Sequence, residues 1–186
     1  FSKFKDDFDD ARLVLVNPPD KITGVLEDLG ISSDSEIIET IPPDQVSGFY
    51  EGLDVLAHTS NIGESFGYVM AESLVSGTPV VTNSTPMRDN AQVELVNNSE
   101  NGFIANNAES YAGSMKKAVE KDMDVSLSDE MLVDNVSSRY ISLLEDYGCE
   151  LDGDFSKGEF ESGYPELLSD VEHPYCNFYS LERNMW

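Results

Sequence analysis

Short apolar runs alternate with longer stretches of mixed polarity along most of this chain. Residues 13–16, 36–41, 53–60 and 79–82 are each brief enough for a strand in a sheet, and the first is apolar throughout, as in a strand buried on both faces. Between them, residues 21–29, 44–52 and 68–76 space their apolar positions as helices do. Asp20 stands where it would cap the first of these helices and Gly30 where it would close it, while Gly77 would stop the third. Residues 1–8 read as the end of a further helix, 103–104 as a small edge strand, and 108–122 and 129–147 as amphipathic helices. Strands alternating with helices specify an α/β fold, a parallel sheet with helices on both faces. No internal repeat is present.

Candidate chemistry gathers where the run 53–60 should give way to the helix 68–76. Glu64 and Glu72 bracket Ser65-Phe66-Gly67-Tyr68-Val69-Met70-Ala71 at that junction. Open parallel sheets bind ligands at the carboxyl ends of their strands, and a helix starting there offers unpaired N–H groups and a positive dipole end to phosphate. With the helix beginning near Phe66 or Gly67, Glu64 precedes it and Glu72 lies roughly 8 Å along it, at about 1.5 Å per residue. That is the length of a diphosphate with a hydroxylated ring at each end. A carboxylate accepts two hydrogen bonds from neighbouring hydroxyls, so Glu64 suits a transferred sugar and Glu72 a ribose diol. Gly67, without a Cβ, lets the backbone approach the phosphates. Taken alone, two glutamates at this spacing also describe an ordinary solvated surface.

The surrounding motifs separate these readings. Tyr50-Glu51-Gly52-Leu53-Asp54-Val55, Ser60, Glu64-Ser65-Phe66-Gly67, Glu72-Ser73-Leu74-Val75-Ser76-Gly77-Thr78-Pro79-Val80-Val81, Glu94-Leu95-Val96 and Asn101-Gly102-Phe103-Ile104 occur in order. Together they resemble family 4 of the retaining glycosyltransferases, specifically the Rossmann-like, donor-binding carboxyl-terminal half of their GT-B fold. The resemblance starts at Asp10-Ala11-Arg12-Leu13 and fades near Tyr147. It implies Glu64 on the donor sugar as the catalytic position, and donor binding by Glu64, Ser65, Phe66, Gly67, Tyr68 and Glu72. Within that set the amides of Phe66, Gly67 and Tyr68 face the diphosphate and Glu72 the ribose. Backbone groups of residues 38–41 would line the base. Many members carry paired glycines after the Pro-Val-Val strand; this chain has Thr85-Pro86-Met87-Arg88-Asp89-Asn90, where Arg88 is a candidate phosphate contact or a surface ion-pair partner. The resemblance requires no metal and no cofactor beyond the nucleoside diphosphate sugar that serves as donor. Its acceptor would be a glycan, a lipid or a small molecule.

Two features qualify this expectation. Family members usually clamp the diphosphate with an arginine and a lysine upstream of the first strand, and Lys3 and Lys5 fall too late for that role. A two-domain enzyme also needs an amino-terminal, acceptor-holding half, for which 186 residues leave no room. The expectation is therefore a partial enzyme whose amino-terminal domain is missing or separately encoded. Residues 1–147 would form the nucleotide-sugar-binding domain, and 148–186 an acidic, aromatic-rich tail of unknown role that either packs its aromatics on the missing half or the domain surface or binds a partner. A nucleotide-sugar epimerase of similar fold, or a non-enzymatic nucleotide-sugar-binding scaffold, are the alternatives. An epimerase would want catalytic acids beside a histidine, and neither His58 nor His173 has an acid in sequence register.

Composition narrows the partners. With 36 acidic against 11 basic residues, the formal charge of −25 argues against nucleic acid and anionic lipid as ligands. The acids are spread through every segment, a distribution that resembles proteins of salt-loving microbes. No apolar run reaches the roughly 18 residues of a membrane span. Cys149 and Cys176 match neither a metal motif nor a disulfide framework and read as free thiols in a reducing compartment. A cytoplasmic protein, at most peripheral at the inner face of the membrane, is the expectation.

Overall fold

The computed structural model describes residues 1–96 and 99–147. They divide into two units, Phe1–Leu132 and a second that begins at Val133. The tail 148–186, with Cys149, Cys176 and His173, lies outside the described residues.

In the first unit every strand pairing is parallel. Strand β1 (Leu13–Val16) pairs with β2 (Ser35–Ile38), Leu13 opposite Ser35 and Val16 opposite Ile38. Strands β3 (Leu56–Ala57), β4 (Val80–Thr82) and β5 (Gly102–Ile104) form a second sheet in that order, with β5 at its edge. The α/β class expected from the apolar pattern is present, as open parallel sheets flanked by helices. The ladders are shorter than the apolar runs. Strand β2 stops at Ile38 rather than reaching Ile41, and the chain bends at Glu39 before Pro42 and Pro43, which have no N–H to give a ladder.

Helices α1 (Ser2–Lys5), α2 (Ile22–Asp28), α3 (Val46–Glu51), α4 (Tyr68–Val75), α5 (Gln92–Leu95) and α6 (Ala108–Glu120) complete this unit. Strand β4 is its centre: Val80, Val81 and Thr82 are all inaccessible to solvent. Successive strand side chains point to opposite faces. Val81 accordingly joins Phe4 of α1 and Met115 and Ala118 of α6, whereas Val80 joins Met70 and Leu74 of α4 and Leu95 and Val96 around α5. Helices thus cover both faces of the strand. Met70 and Leu74, four residues apart on one face of α4, are fully buried, and each contributes about 1.5–3 kcal/mol relative to an exposed side chain. This packing fixes where α4 begins.

Helix ends follow the expected glycines. Gly30 donates to the Glu27 carbonyl and Ile31 to Leu26, while Gly77 donates to Leu74 and Thr78 to Ser73, the same paired closure at both ends. Asp20 does not cap α2. That helix starts at Ile22, whose amide donates to the Pro19 carbonyl, and no side chain caps it, because the preceding prolines already form a turn with a carbonyl in place. Helix α6 is capped by Asn107, which accepts from the Ser110 amide while the Ser110 hydroxyl accepts from the Asn107 amide. The single helix expected over 129–147 is broken. A 3-10 turn at Asp129–Met131 is followed by an extended Leu132 (φ −71°, ψ 139°) before α7 (Val133–Asp146) starts the second unit. Met131 packs on the cluster around Met70 and Val80. No described helix is long and apolar enough to cross a membrane.

Candidate functional site

The loops leaving the carboxyl ends of β3, β4 and β5 are cross-linked by amide side chains. Asn83 accepts from the Ser60 amide (2.9 Å) and donates to the Ser60 carbonyl (2.8 Å), joining the loop after β4 to that after β3. Asn106 accepts from the Ser84 amide at 2.8 Å, adding the segment after β5. Gly63 lies against Asp89 so closely that a Cβ there would fall 1.7 Å from the Asp89 carbonyl oxygen, and its φ of +82° also favours glycine.

This framework holds Glu64 from both sides. Its amide donates to Oε1 of Gln92 (3.1 Å), and its carbonyl accepts from Ala91 (3.0 Å). Gln92, fully buried at the start of α5, donates through Nε2 to Oγ1 of Thr85 (2.9 Å). The carboxylate of Glu64 is half-buried, with Oε1 3.2 Å from Nε2 of His58. Three residues on, Gly67 turns the chain with φ +93° and becomes the N-cap of α4 without a side-chain cap bond. Its carbonyl accepts from Met70 and Ala71. Among the described residues, the amides of Gly67 and Tyr68 meet no protein acceptor, as the geometry of a helix start dictates, and neither does that of Phe66 just before it. Free donors and the positive end of a helix dipole are features that suit an anion.

Glu72 lies one turn farther along α4, exposed, and its Oε2 accepts from the Tyr50 hydroxyl of α3 at 3.0 Å. Burial first, and then the Glu72 carboxylate, raise the Tyr50 phenol well above the ordinary tyrosine range, so it stays a donor at neutral pH. Tyr50 is itself held by Thr78, whose hydroxyl donates to the Tyr50 carbonyl at 2.6 Å.

The sequence-derived residues therefore fall as follows. Glu64, Gly67 and Glu72 frame the start of α4; Ser65 is exposed between them. Phe66 packs beside the Met70 cluster with its ring 5.0 Å from that of Tyr68, which is largely exposed. Arg88 is exposed and donates to the Asn61 carbonyl at 2.8 Å, which ties its loop to the one carrying Glu64. Residues 39–41 follow the end of β2. Sequence reasoning missed three partners: His58, Gln92 and Tyr50. In the sequence no acid stands in register with His58, yet the loop after β3 doubles back and returns Glu64 to its ring. Nothing in sequence spacing links Tyr50 to Glu72 or Gln92 to Glu64, because both contacts join separate elements. No group of three or more His, Cys, Asp or Glu side chains forms a metal site among the described residues.

The family model for glycosyl transferases group 1 matches residues 1–135. The chain belongs to this family. Among curated proteins nothing matches it. HepE of Anabaena, solved in complex with UDP and glucose, superposes on this glycosyl transferase group 1 chain with a TM-score of 0.59 and 18% identity, covering 77% of this chain and 44% of HepE. The same protein with UDP gives 0.58 and 19%, over 73% and 41%. The GtfA/B complex gives 0.58 and 15%, over 78% and 31%. At these identities the likeness shows the GT-B glycosyltransferase fold, and the chain spans less than half the length of each matched structure.

Proposed function

We propose that this group 1 domain is the donor-binding half of a family 4, retaining glycosyltransferase. It would transfer a sugar from a nucleoside diphosphate to a glycan, lipid or small-molecule acceptor. One observation carries the reading: two carboxylates, each held by a neighbouring side chain, flank a helix start whose first amides have no protein acceptor. The ligands of the solved HepE complexes, UDP and glucose, have the chemistry this arrangement suits.

In this reading Glu64 faces the donor sugar as the catalytic residue, the amides of Phe66, Gly67 and Tyr68 receive the diphosphate beside Ser65, and Glu72 takes the ribose. Arg88 reaches a phosphate from its anchor at Asn61. The bond from the anomeric carbon to the diphosphate breaks through an oxocarbenium-like state, and the electron pair leaves with the phosphate oxygen, whose charge the amides stabilise. The acceptor hydroxyl then bonds to the anomeric carbon on the same face, its proton passing to the departing diphosphate. No resident metal or cofactor takes part. A second domain positions the acceptor, so the 186-residue chain binds donor without transferring sugar.

Titration calorimetry with UDP and UDP-glucose tests the reading. Glu72→Ala should weaken UDP binding by about 1.5–3 kcal/mol, the range of a charge-assisted hydrogen bond, and abolish preference over 2′-deoxy-UDP. Glu64→Gln should spare UDP and lose discrimination among sugars. If the parent chain binds neither ligand, or both variants behave as the parent does, the donor site is not here. The juxtaposition of His58 and Glu64 favours one second reading, donor epimerisation. An epimer formed on incubating the chain with UDP-sugar alone would establish it.

A further inference from the structure

The ring of His58 is held at both nitrogens. Nδ1 lies 3.2 Å from the Thr82 hydroxyl and Nε2 3.2 Å from Oε1 of Glu64, so the ring cannot turn without giving up both contacts. Its backbone is held as well. The His58 amide donates to the Val81 carbonyl at 2.9 Å, extending the β3–β4 ladder, and its carbonyl accepts from the Tyr111 hydroxyl of α6 at 2.5 Å. Thr82 is fully buried at the end of β4, the best-packed strand of the unit. The imidazole is thus a rigid strut between the core and the one carboxylate assigned to the donor sugar.

From this geometry we propose that His58 is a positioning residue for Glu64, holding Oε1 so that Oε2 is presented to the donor sugar. The inference rests on the donor-binding role proposed for Glu64. Gln92 and Ala91 already hold the Glu64 backbone, which leaves side-chain rotation as its remaining freedom, and the imidazole removes it before the sugar arrives. One protonation pattern satisfies every atom with the carboxylate ionised. Nε2–H donates to Glu64, and the Thr82 hydroxyl donates to Nδ1. With Oε1 engaged, Glu64 meets the sugar chiefly through one oxygen. Sugar discrimination therefore depends on His58, although His58 need not touch the sugar.

The test uses the full chain with His58→Ala, His58→Gln, Glu64→Gln and the double variant His58→Ala/Glu64→Gln, titrated with UDP and with UDP-glucose. His58→Ala should weaken UDP-glucose by about tenfold, the size of one hydrogen bond to a charged group, and leave UDP unchanged. His58→Gln, whose amide reaches the same oxygen, should restore most of the loss. In the Glu64→Gln background, His58→Ala should have no further effect. Equal weakening of UDP and UDP-glucose, or additive losses in the double variant, would overturn the proposal by making His58 a general fold residue. A second readout is independent of ligand. With His173→Gln leaving one histidine, nitrogen-detected correlation spectra at mildly alkaline pH should show the Nε2–H tautomer of His58, altered by Glu64→Gln. Should the parent bind no UDP-glucose, the donor function fails. These spectra then decide the positioning alone, and an Nδ1–H tautomer indifferent to Glu64→Gln would refute it.

Discussion

Replacing Gln92 by methionine keeps the length and volume of a fully buried side chain while removing both of its hydrogen bonds. Met fills the same space, so little of the effect should come from a cavity. The cost arises at the two partners. The Glu64 amide loses its acceptor at 3.1 Å and is left unsatisfied beside buried atoms, a penalty of about 1–3 kcal/mol. The Thr85 hydroxyl loses its donor at 2.9 Å but keeps its own bond to the Asp89 carbonyl, so that loss is nearer about 1 kcal/mol. The expected destabilisation is about 2–4 kcal/mol. With a urea slope of about 2 kcal/mol per M, the unfolding midpoint followed by circular dichroism should fall by about 1–2 M. A Gln92→Met midpoint within about 0.2 M of the parent, at an unchanged slope, would show that the Glu64 loop does not depend on Gln92 and would refute the framework drawn around the site.

Other predictions follow from single observations. Gly67→Ala must accept φ +93° and a Cβ 2.3 Å from the Met70 methyl; the methyl can move but the dihedral strain stays, so stability should drop by about 1–2 kcal/mol in the same urea assay and UDP affinity should fall with it. Burial raises the Tyr111 phenol, and burial followed by the Glu72 carboxylate raises that of Tyr50. Groups raised on folding stabilise fully below their unfolded pKa of about 10 and lose that contribution as pH climbs above it. Urea midpoints should therefore fall between pH 9 and 11, less steeply in Tyr111→Phe, and an identical slope in that variant would contradict the assignment. A formal charge of −25 on one chain should make folding sensitive to screening, whose length shrinks from about 30 Å at 0.01 M salt to about 3 Å at 1 M. Melting temperature should rise with potassium chloride but not comparably with sucrose, and a salt-independent melt would remove self-repulsion as a factor.

The sequence by itself determined the class of this fold and pointed to a candidate site. Its apolar runs and glycine stops have local physical causes: side-chain period sets strand against helix, and a residue without Cβ ends α2 and α4 wherever the chain must turn left-handed. Glu64, Gly67 and Glu72 were legible because eight residues of separation across a helix start become a distance through helical rise alone. Where a local signal met a competing tertiary contact, the contact decided. Met131, in a turn within one amphipathic pattern, packs against the Val80 cluster, and Pro19 supplies the carbonyl that makes Asp20 unnecessary as a cap. Only the tertiary structure decided what holds each carboxylate. His58 meets Glu64 through a loop that doubles back, Tyr50 reaches Glu72 across the packing of α3 on α4, and Gln92 comes from the start of α5, beyond the next strand. Hydrogen bonds between elements depend on angles and positions set by the packed core around β4, and no periodicity along a chain encodes those.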